Sequence, residues 1–347
     1  MALDSHHRRT TITNHLNYRS TMRTFLTLVL LGALAIAGWL AWALWLPITP
    51  GGQTFVLLHP GYSTRRIAAE LKSAGVIHSA NAFVLWHYLH HQRSLKAGEY
   101  LFEKPATPIQ IHDRLVRGDI YVHTVVVPEG FNMFDIAQAV QDAGLGSRED
   151  FLKIAASDTA LISDLAPEAK TLEGYLFPNT YQFTRTESMN DIVAAMVKQF
   201  RQVAREIGLT SDVQRVVTMA SIVEKETAAP EERPMVASVY YNRLAKNIAL
   251  DADPSVIYAE LLNGSYSGAL HHEDLAFNSP YNTYKYPGLP PGPIANPGKT
   301  ALEAAMHPAE TEYYYFVGDG TGHHRFAQSL EEHNRNVALL RRALAGR

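Results

Sequence analysis

The sequence contains no cysteine, which excludes disulfide staples, thiolate metal ligands and cysteine nucleophiles together. Charge is sparse too. Lys and Arg number 31 against 34 Asp and Glu, a formal net charge of −3, and charged residues make up 19% of the 347-residue chain. Without a basic excess there is no global field to hold a polyanion, so nucleic acid is excluded as a partner. No phosphate-cradling glycine loop occurs. The segment GSYSG at 264–268 carries Tyr266 where a nucleophile elbow needs serine. His87, His90 and His91 stand at helical spacing, but no third ligand class accompanies them. They read as a packed or surface cluster, as do His271 with His272 and His323 with His324. No metal and no cofactor is expected.

What the sequence does have is one long apolar run. Residues 25–48 hold no charged side chain and consist mostly of Leu, Ala, Val, Ile and Trp. A membrane-spanning helix needs about 20 such residues. Arg8, Arg9, Arg19 and Arg23 precede the run, whereas 47–53 is uncharged, so the positive-inside rule puts the N-terminus in the cytoplasm and the remainder outside. Trp39, Trp42 and Trp45 cluster toward the far end as an interfacial belt would. The run is too long for a signal-peptide core and no small-residue cleavage site follows it, so an uncleaved anchor is expected. Residues 1–24 read as an unstructured cytoplasmic tail. Met22, followed by Arg23 and the anchor, reads as an alternative start to Met1.

Beyond the linker at Gly51 and Gly52 a pattern recurs. FVLLHPGY at 55–62 leads to Ile67-Ala68, Leu71 and Ala74-Gly75; TVVVPEGF at 124–131 leads to Ile136-Ala137, Val140 and Ala143-Gly144. Each copy predicts a strand, a glycine–aromatic turn and a helix ended by glycine. Between them the pattern predicts a helix over 81–91, an extended segment over 98–102 and a helix over 109–116. Past residue 150 helices dominate, notably over 211–227 and 233–244. The stretch 275–298 is too rich in Pro and Gly for a long helix or a central strand and reads as a structured, aromatic-lined loop of the kind that often carries function. A helix over 300–306, a strand over 313–318 and a helix over 330–344 close the chain. The class is α+β.

The sharpest chemical feature is ASIVEKET at 220–227, at the end of a helix whose apolar stripe is Val213, Val216, Met219, Ala220 and Val223. At 100° per residue Glu224 and Glu226 fall on opposite margins of that stripe. Partial desolvation raises a carboxyl pKa and suits a general acid, and periodicity alone leaves both glutamates open.

This segment, with Val217 and Met219 before it, resembles the signature of the YceG-like family of membrane-bound endolytic murein transglycosylases. So do LEGYLFPNTY at 172–181, VASVYYNRL at 236–244, DPSVIY at 253–258, YNTY at 281–284 with GLPPGPI at 288–294, and HRF at 324–326 with His333-Asn334. The similarity runs in order from about residue 50 to 340. It departs at Asn179, where the family usually has Asp.

The resemblance implies a lyase that cuts the β-1,4 bond between N-acetylmuramic acid and N-acetylglucosamine in peptidoglycan strands, leaving 1,6-anhydro ends and limiting nascent strand length. It singles out Glu226 as acid/base, because lytic transglycosylases of several folds end a helix on a catalytic Glu followed by Ser, and Glu226-Thr227 is similar. It suggests Glu173, Tyr175, Asn242, Tyr281, Asn282, Tyr284 and His324 as substrate-binding residues, with Glu173 as the best second carboxylate. It implies four segments: tail 1–24, transmembrane helix 25–48, a LysM-like module 54–122 that holds glycan, and a mostly helical catalytic domain 123–345. The expected location is the cell inner membrane, single-pass, with the catalytic domain in the periplasm and peptidoglycan synthases as neighbours. The competing expectation is a membrane-anchored peptidoglycan-binding scaffold without catalysis.

Overall fold

The computed structural model describes residues 5–90 and 94–345; His91 lies outside the described residues. The chain divides into two compact units, 1–122 with 184–186, and 123–183 with 187–347.

In the first unit, α1 (Ser5–Trp45) is followed by β1 (Thr54–Leu58), α2 (Thr64–Ser73), α3 (Ala80–Leu89), β2 (Gly98–Phe102) and α4 (Pro108–Arg117). Helix α1 starts well before the apolar run, so the stretch expected to be unstructured is helical from Ser5. No Gly or Pro interrupts residues 5–24, and nothing there stops helix propagation. The segment long and apolar enough to cross a membrane is Thr21–Trp45. It ends three residues earlier than expected. Pro47 cannot continue a helix, and Ile48 instead pairs with Ala106 in an antiparallel bridge with N···O distances of 3.0 and 3.1 Å.

Strands β1 and β2 pair antiparallel, Val56 opposite Tyr100 and Leu58 opposite Gly98. Alternation sends Val56, Leu58, Tyr100 and Phe102 to one face, where Ile67, Ala68 and Leu71 of α2 and Ile111 and Leu115 of α4 meet them. Ser63, Ser79 and Thr107 cap the three helices, Thr107 in a reciprocal capping box with Gln110.

The second unit opens on the same order. β3 (His123–Val127), α5 (Met133–Asp142) and α6 (Arg148–Ser157) are followed by β4 (Asn179–Phe183) and α7 (Met189–Glu206), and β3 pairs antiparallel with β4. Gly61 and Gly130 hold the two matching turns at φ 84° and 79°, a backbone region that only glycine enters freely, and Gly75 and Gly144 both end their helices at φ 71°. The repeat read from two short segments is therefore a strand–helix–helix–strand–helix unit in both copies. The second copy carries LEGYLFP at 172–178 and the residues before it as an insertion between its second helix and second strand, which begins at Asn179.

Helices α8 (Val213–Glu226), α9 (Arg233–Ala245), α10 (Asp253–Asn263) and α11 (Lys299–Met306), the hairpin β5 (Tyr315–Gly318) and β6 (His324–Ala327), and α12 (Leu330–Ala345) complete the unit. The fold is mixed α+β and mostly helical. Helix α8 is its centre: Val217, Met219, Ala220, Ile222 and Val223 are fully buried, with α9, α10 and α11 packed around it. Burying each of the larger ones contributes about 1.5–3 kcal/mol.

The Pro/Gly-rich stretch is structured as expected, but its second half is not an open loop. Ile294, Ala295 and Asn296 are buried. The Ile294 N–H donates to Ser221 Oγ of α8 at 3.0 Å, and Gly298 N–H donates to Glu224 Oε2 at 3.0 Å. Proline has no N–H, so the strap has few backbone donors, and these bonds, with that of the Asn296 N–H to the Phe131 carbonyl at 2.8 Å, satisfy three of them.

Candidate active site

The two glutamates at the end of α8 have different surroundings. Glu224 is tied down: Arg233 Nη2 donates to it at 2.6 Å, Gly298 N–H donates to its other oxygen, and both side chains of the ion pair are 5% exposed. Arg233 also reaches Thr300 and Glu129. Glu224 thus clamps the end of α8 to the Pro/Gly strap and to the start of α9.

Glu226, two residues on, lines a cavity of about 380 Å³ with Tyr240, Arg243, Leu250, Asp251, Asp253 and Tyr284, and with Tyr315, Phe316, Leu330 and His333. Burial is the main influence on Glu226 and pushes its carboxyl up to about 7. The Tyr240 hydroxyl, which donates to the carboxylate, and the Arg243 guanidinium pull it down; the nearby Asp253 charge pushes it up. A carboxyl half-protonated near neutrality can give a proton and take one back.

The walls are rigid for identifiable reasons. Tyr240 and Arg243 are three apart on α9 and share a face. Arg243 is held by the carbonyls of Tyr314, Ala249 and Leu250 at 2.7–3.0 Å and by Asp251 Oδ2 at 3.1 Å. Its positive charge is therefore fixed at the cavity without closing on Glu226. The Tyr284 hydroxyl donates to Asp253 Oδ1 at 2.6 Å. Tyr315 stacks against His333 with ring centroids 5.3 Å apart and lies under Arg243 at 5.2 Å. Burial and the Arg243 charge lower the pKa of His333.

Of the residues the sequence suggested for substrate binding, Tyr284 joins Glu226 at this cavity. The others do not line it. Glu173, expected as the second carboxylate, is 1% exposed. It accepts the Met133 N–H at 2.9 and 3.1 Å and the Asn296 amide at 2.8 Å. It thus closes the N-terminus of α5, and burial pushes its carboxyl up to about 7. Tyr175 is fully buried, with its hydroxyl on Gln214. Asn242 donates to the carbonyls of Thr311 and Tyr313 at 2.8 and 3.0 Å, which steers the chain into β5 and sets Tyr315 at the cavity.

Asn282 is 0% exposed, spends both amide N–H donors on Leu275 and Phe277, and accepts from the Tyr284 N–H, so its amide is buried in holding the loop. Tyr281 packs on Tyr258 at 5.2 Å. His324 binds Glu232 at 2.7 Å. These placements have a common element: Glu173, Asn242 and Asn282 each bond to backbone that has no ladder partner. The other carboxylates lining this cavity are Asp251 and Asp253, and Glu173 lies outside it. Of the histidine cluster, His87 Nδ1 lies 3.2 Å from His112 Nε2 and His90 Nδ1 lies 2.9 Å from the Trp86 carbonyl.

Sequence reasoning missed Tyr240, Arg243, Asp251, Asp253, Tyr315 and His333 as site residues. Tyr240, Arg243, Asp253 and His333 stood inside blocks already singled out, and the three-residue spacing of Tyr240 and Arg243 was a usable signal.

The YceG-like family model matches residues 56–339. The chain belongs to the YceG-like family. An endolytic murein transglycosylase of Bacillus subtilis is 35% identical over 83% of this chain and 86% of its own. One of Streptococcus pneumoniae is 31% identical over 84% of this chain, which spans 60% of that longer protein. A crystal structure of a yceG-like protein of Listeria monocytogenes superposes with a TM-score of 0.54 at 34% identity, over 82% of this chain and 98% of that one. The matched span includes every residue lining the cavity of this YceG-like protein.

Proposed function

We propose that this chain is an endolytic lytic transglycosylase of peptidoglycan with Glu226 as its one acid/base. The carrying observation is Glu226 itself: a carboxyl raised to about 7 by burial, opening into a polar, aromatic-walled cavity. The names of the relatives support the same reaction class. Glu226 donates its proton to the glycosidic oxygen as the bond to C1 of N-acetylmuramic acid breaks. The 6-hydroxyl oxygen of the same sugar then bonds to C1, and its proton passes to the Glu226 carboxylate. A 1,6-anhydro end forms, no water is consumed and the acid is regenerated. Tyr240 donates to the carboxylate between the two steps. Arg243 counters negative charge, and Tyr284 and Tyr315 offer aromatic surface to sugar C–H faces.

A hydrolase reading draws on one feature, Asp253 in the same cavity as a possible base for water. Glu173 and Glu224, the other partners such a reading could use, are both engaged elsewhere. Mass spectrometry of digested glycan strands tests the reading. Anhydro ends, lighter by one water than hydrolysed ends and lost in Glu226→Gln, are expected. Hydrolysed ends, or activity surviving Glu226→Gln, would refute it. Binding that survives Glu226→Gln with no cleavage by the unaltered protein would point to the scaffold instead.

In this proposal Thr21–Trp45 is the single anchor in the inner membrane, with its N-terminal end cytoplasmic and both units periplasmic. The strand–helix–helix–strand order of 54–102 supports a LysM-like, glycan-holding role for the first unit. Cutting nascent strands beside the synthases that extend them would limit strand length.

A further inference from the structure

In the first unit, α3 joins the anchor α1 in turning an apolar face outward. Its sequence ANAFVLWHYL has no formally charged residue. Ala82 and Phe83 are buried, whereas Leu85, Tyr88 and Leu89 are 44%, 56% and 67% exposed. Their spacing of three and four puts these three side chains on one face. A soluble helix normally turns charge to that side.

The position of α3 is tied to the anchor. Ala43 and Leu44 of α1 are buried against Ala82, with Leu40, Trp86 and Ile109 around them. Trp45 meets Trp86 edge-on at 5.7 Å, Trp42 lies 4.6 Å from the His78 ring, and His78 Nε2 is 3.2 Å from the Leu46 carbonyl. The Ile48–Ala106 bridge then pins the chain where it leaves α1.

Helix length sets the depth of that contact. The 25 residues of Thr21–Trp45 extend about 37 Å at 1.5 Å each. A hydrocarbon core of about 30 Å takes roughly 20 of them. With Arg23 kept at the cytoplasmic headgroups, the residues from Leu40 to Trp45 fall at the opposite boundary. There Trp39, Trp42 and Trp45 remain 41%, 47% and 56% exposed. Whatever packs on Leu40, Ala43 and Leu44 lies at the same depth.

We propose that α3 is an interfacial helix: Leu85, Tyr88 and Leu89 insert into the outer headgroup–acyl boundary of the bilayer that α1 spans and seat the first unit flat on the membrane. Tyr88, apolar in its ring and polar at its tip, suits that layer. A second copy of the chain fits less well. Three side chains supply roughly 500 Å² at most, below the ~800 Å² per partner of a stable interface. The inference rests on α1 crossing the membrane, and the test separates the two.

Because the chain has no cysteine, a single thiol can be introduced at will. Full-length Leu85→Cys, Leu89→Cys and, in mid-span, Leu31→Cys are labelled with an environment-sensitive fluorophore. Each is reconstituted in phosphatidylethanolamine–phosphatidylglycerol vesicles containing lipids brominated near the headgroup or near the chain end. The expected result is that labels at 85 and 89 lose at least half their emission to headgroup-proximal bromine and are shielded from aqueous iodide, while the label at 31 is quenched by chain-end bromine. If 31 is quenched and 85 and 89 respond to iodide but to neither bromolipid, α3 faces water and the inference is overturned. Labels at 85 and 89 shielded from both iodide and bromine would mean that protein covers the face, which also overturns it. Failure at 31 as well would instead bring down the membrane-span reading on which the inference stands.

Discussion

A carboxyl held at about 7 in the folded chain and near 4.5 in the unfolded one makes stability depend on pH, and Glu226→Gln exposes that dependence. Below pH 4.5 the carboxyl is protonated in both states and contributes no difference. As pH rises from 4.5 through 7 the unfolded chain has released its proton and the folded chain still binds one. Stability conferred by the buried neutral acid is lost over that window. A displacement of about 2.5 pH units at ~1.4 kcal/mol each corresponds to about 3 kcal/mol.

The glutamine keeps the shape and an oxygen acceptor for Tyr240 but never ionises. The variant is therefore expected to match the parent near pH 4.5 and to exceed it by about 2–3 kcal/mol above pH 7, while losing cleavage. Glu173, also raised to about 7, titrates identically in both proteins and cancels in the difference. Urea unfolding of the two proteins at several pH values between 4.5 and 8 measures the gap. A gap that does not open with pH, or that has the opposite sign at pH 8, would refute the burial argument for Glu226.

Three further outcomes follow from the same geometry. Arg233→Met strands the Glu224 carboxylate among buried groups and should cost about 3–5 kcal/mol in denaturant unfolding; adding Glu224→Gln should restore a substantial part, and no recovery would mean that the ion pair is not the clamp. Asp253→Asn removes a charge that raises the Glu226 pKa and should move the alkaline limb of the kcat/KM–pH profile down, whereas Tyr240→Phe removes a donor that lowers it and should move that limb up; shifts in the same direction would contradict the site. Gly174→Ala puts a methyl 2.5–2.7 Å from Pro293 and Val217 at a φ of 87° and should destabilise by at least about 2 kcal/mol by thermal unfolding; a tolerated alanine would show that the strap against α8 can yield.

Much of the molecule was legible because it follows local rules. Period and punctuation reveal the apolar anchor, the duplicated strand–turn–helix and the long helices, and the observed helices Ala80–Leu89, Val213–Glu226 and Arg233–Ala245 lie within two residues of the expected ones. The site was legible only in part. A sequence block marks residues as belonging to one constellation without saying which of them face a cavity and which hold the constellation up. Asn242 and Arg243 are neighbours in one block, yet the first spends its amide on two carbonyls and the second directs its charge at Glu226.

By itself the sequence determined the absence of thiol chemistry, the single long apolar segment, the α+β class and the pair of glutamates at the end of a core helix. Each depends on residue type or on spacing along one element. Only tertiary structure shows how the surroundings of those glutamates differ in this chain. The margins of the α8 stripe are equivalent until Arg233 and Gly298 arrive at one and Tyr240, Arg243 and Asp253 at the other. Those groups come from residues 9 to 74 positions away, and what separates the surroundings of the two glutamates is the set of partners that long-range packing delivers.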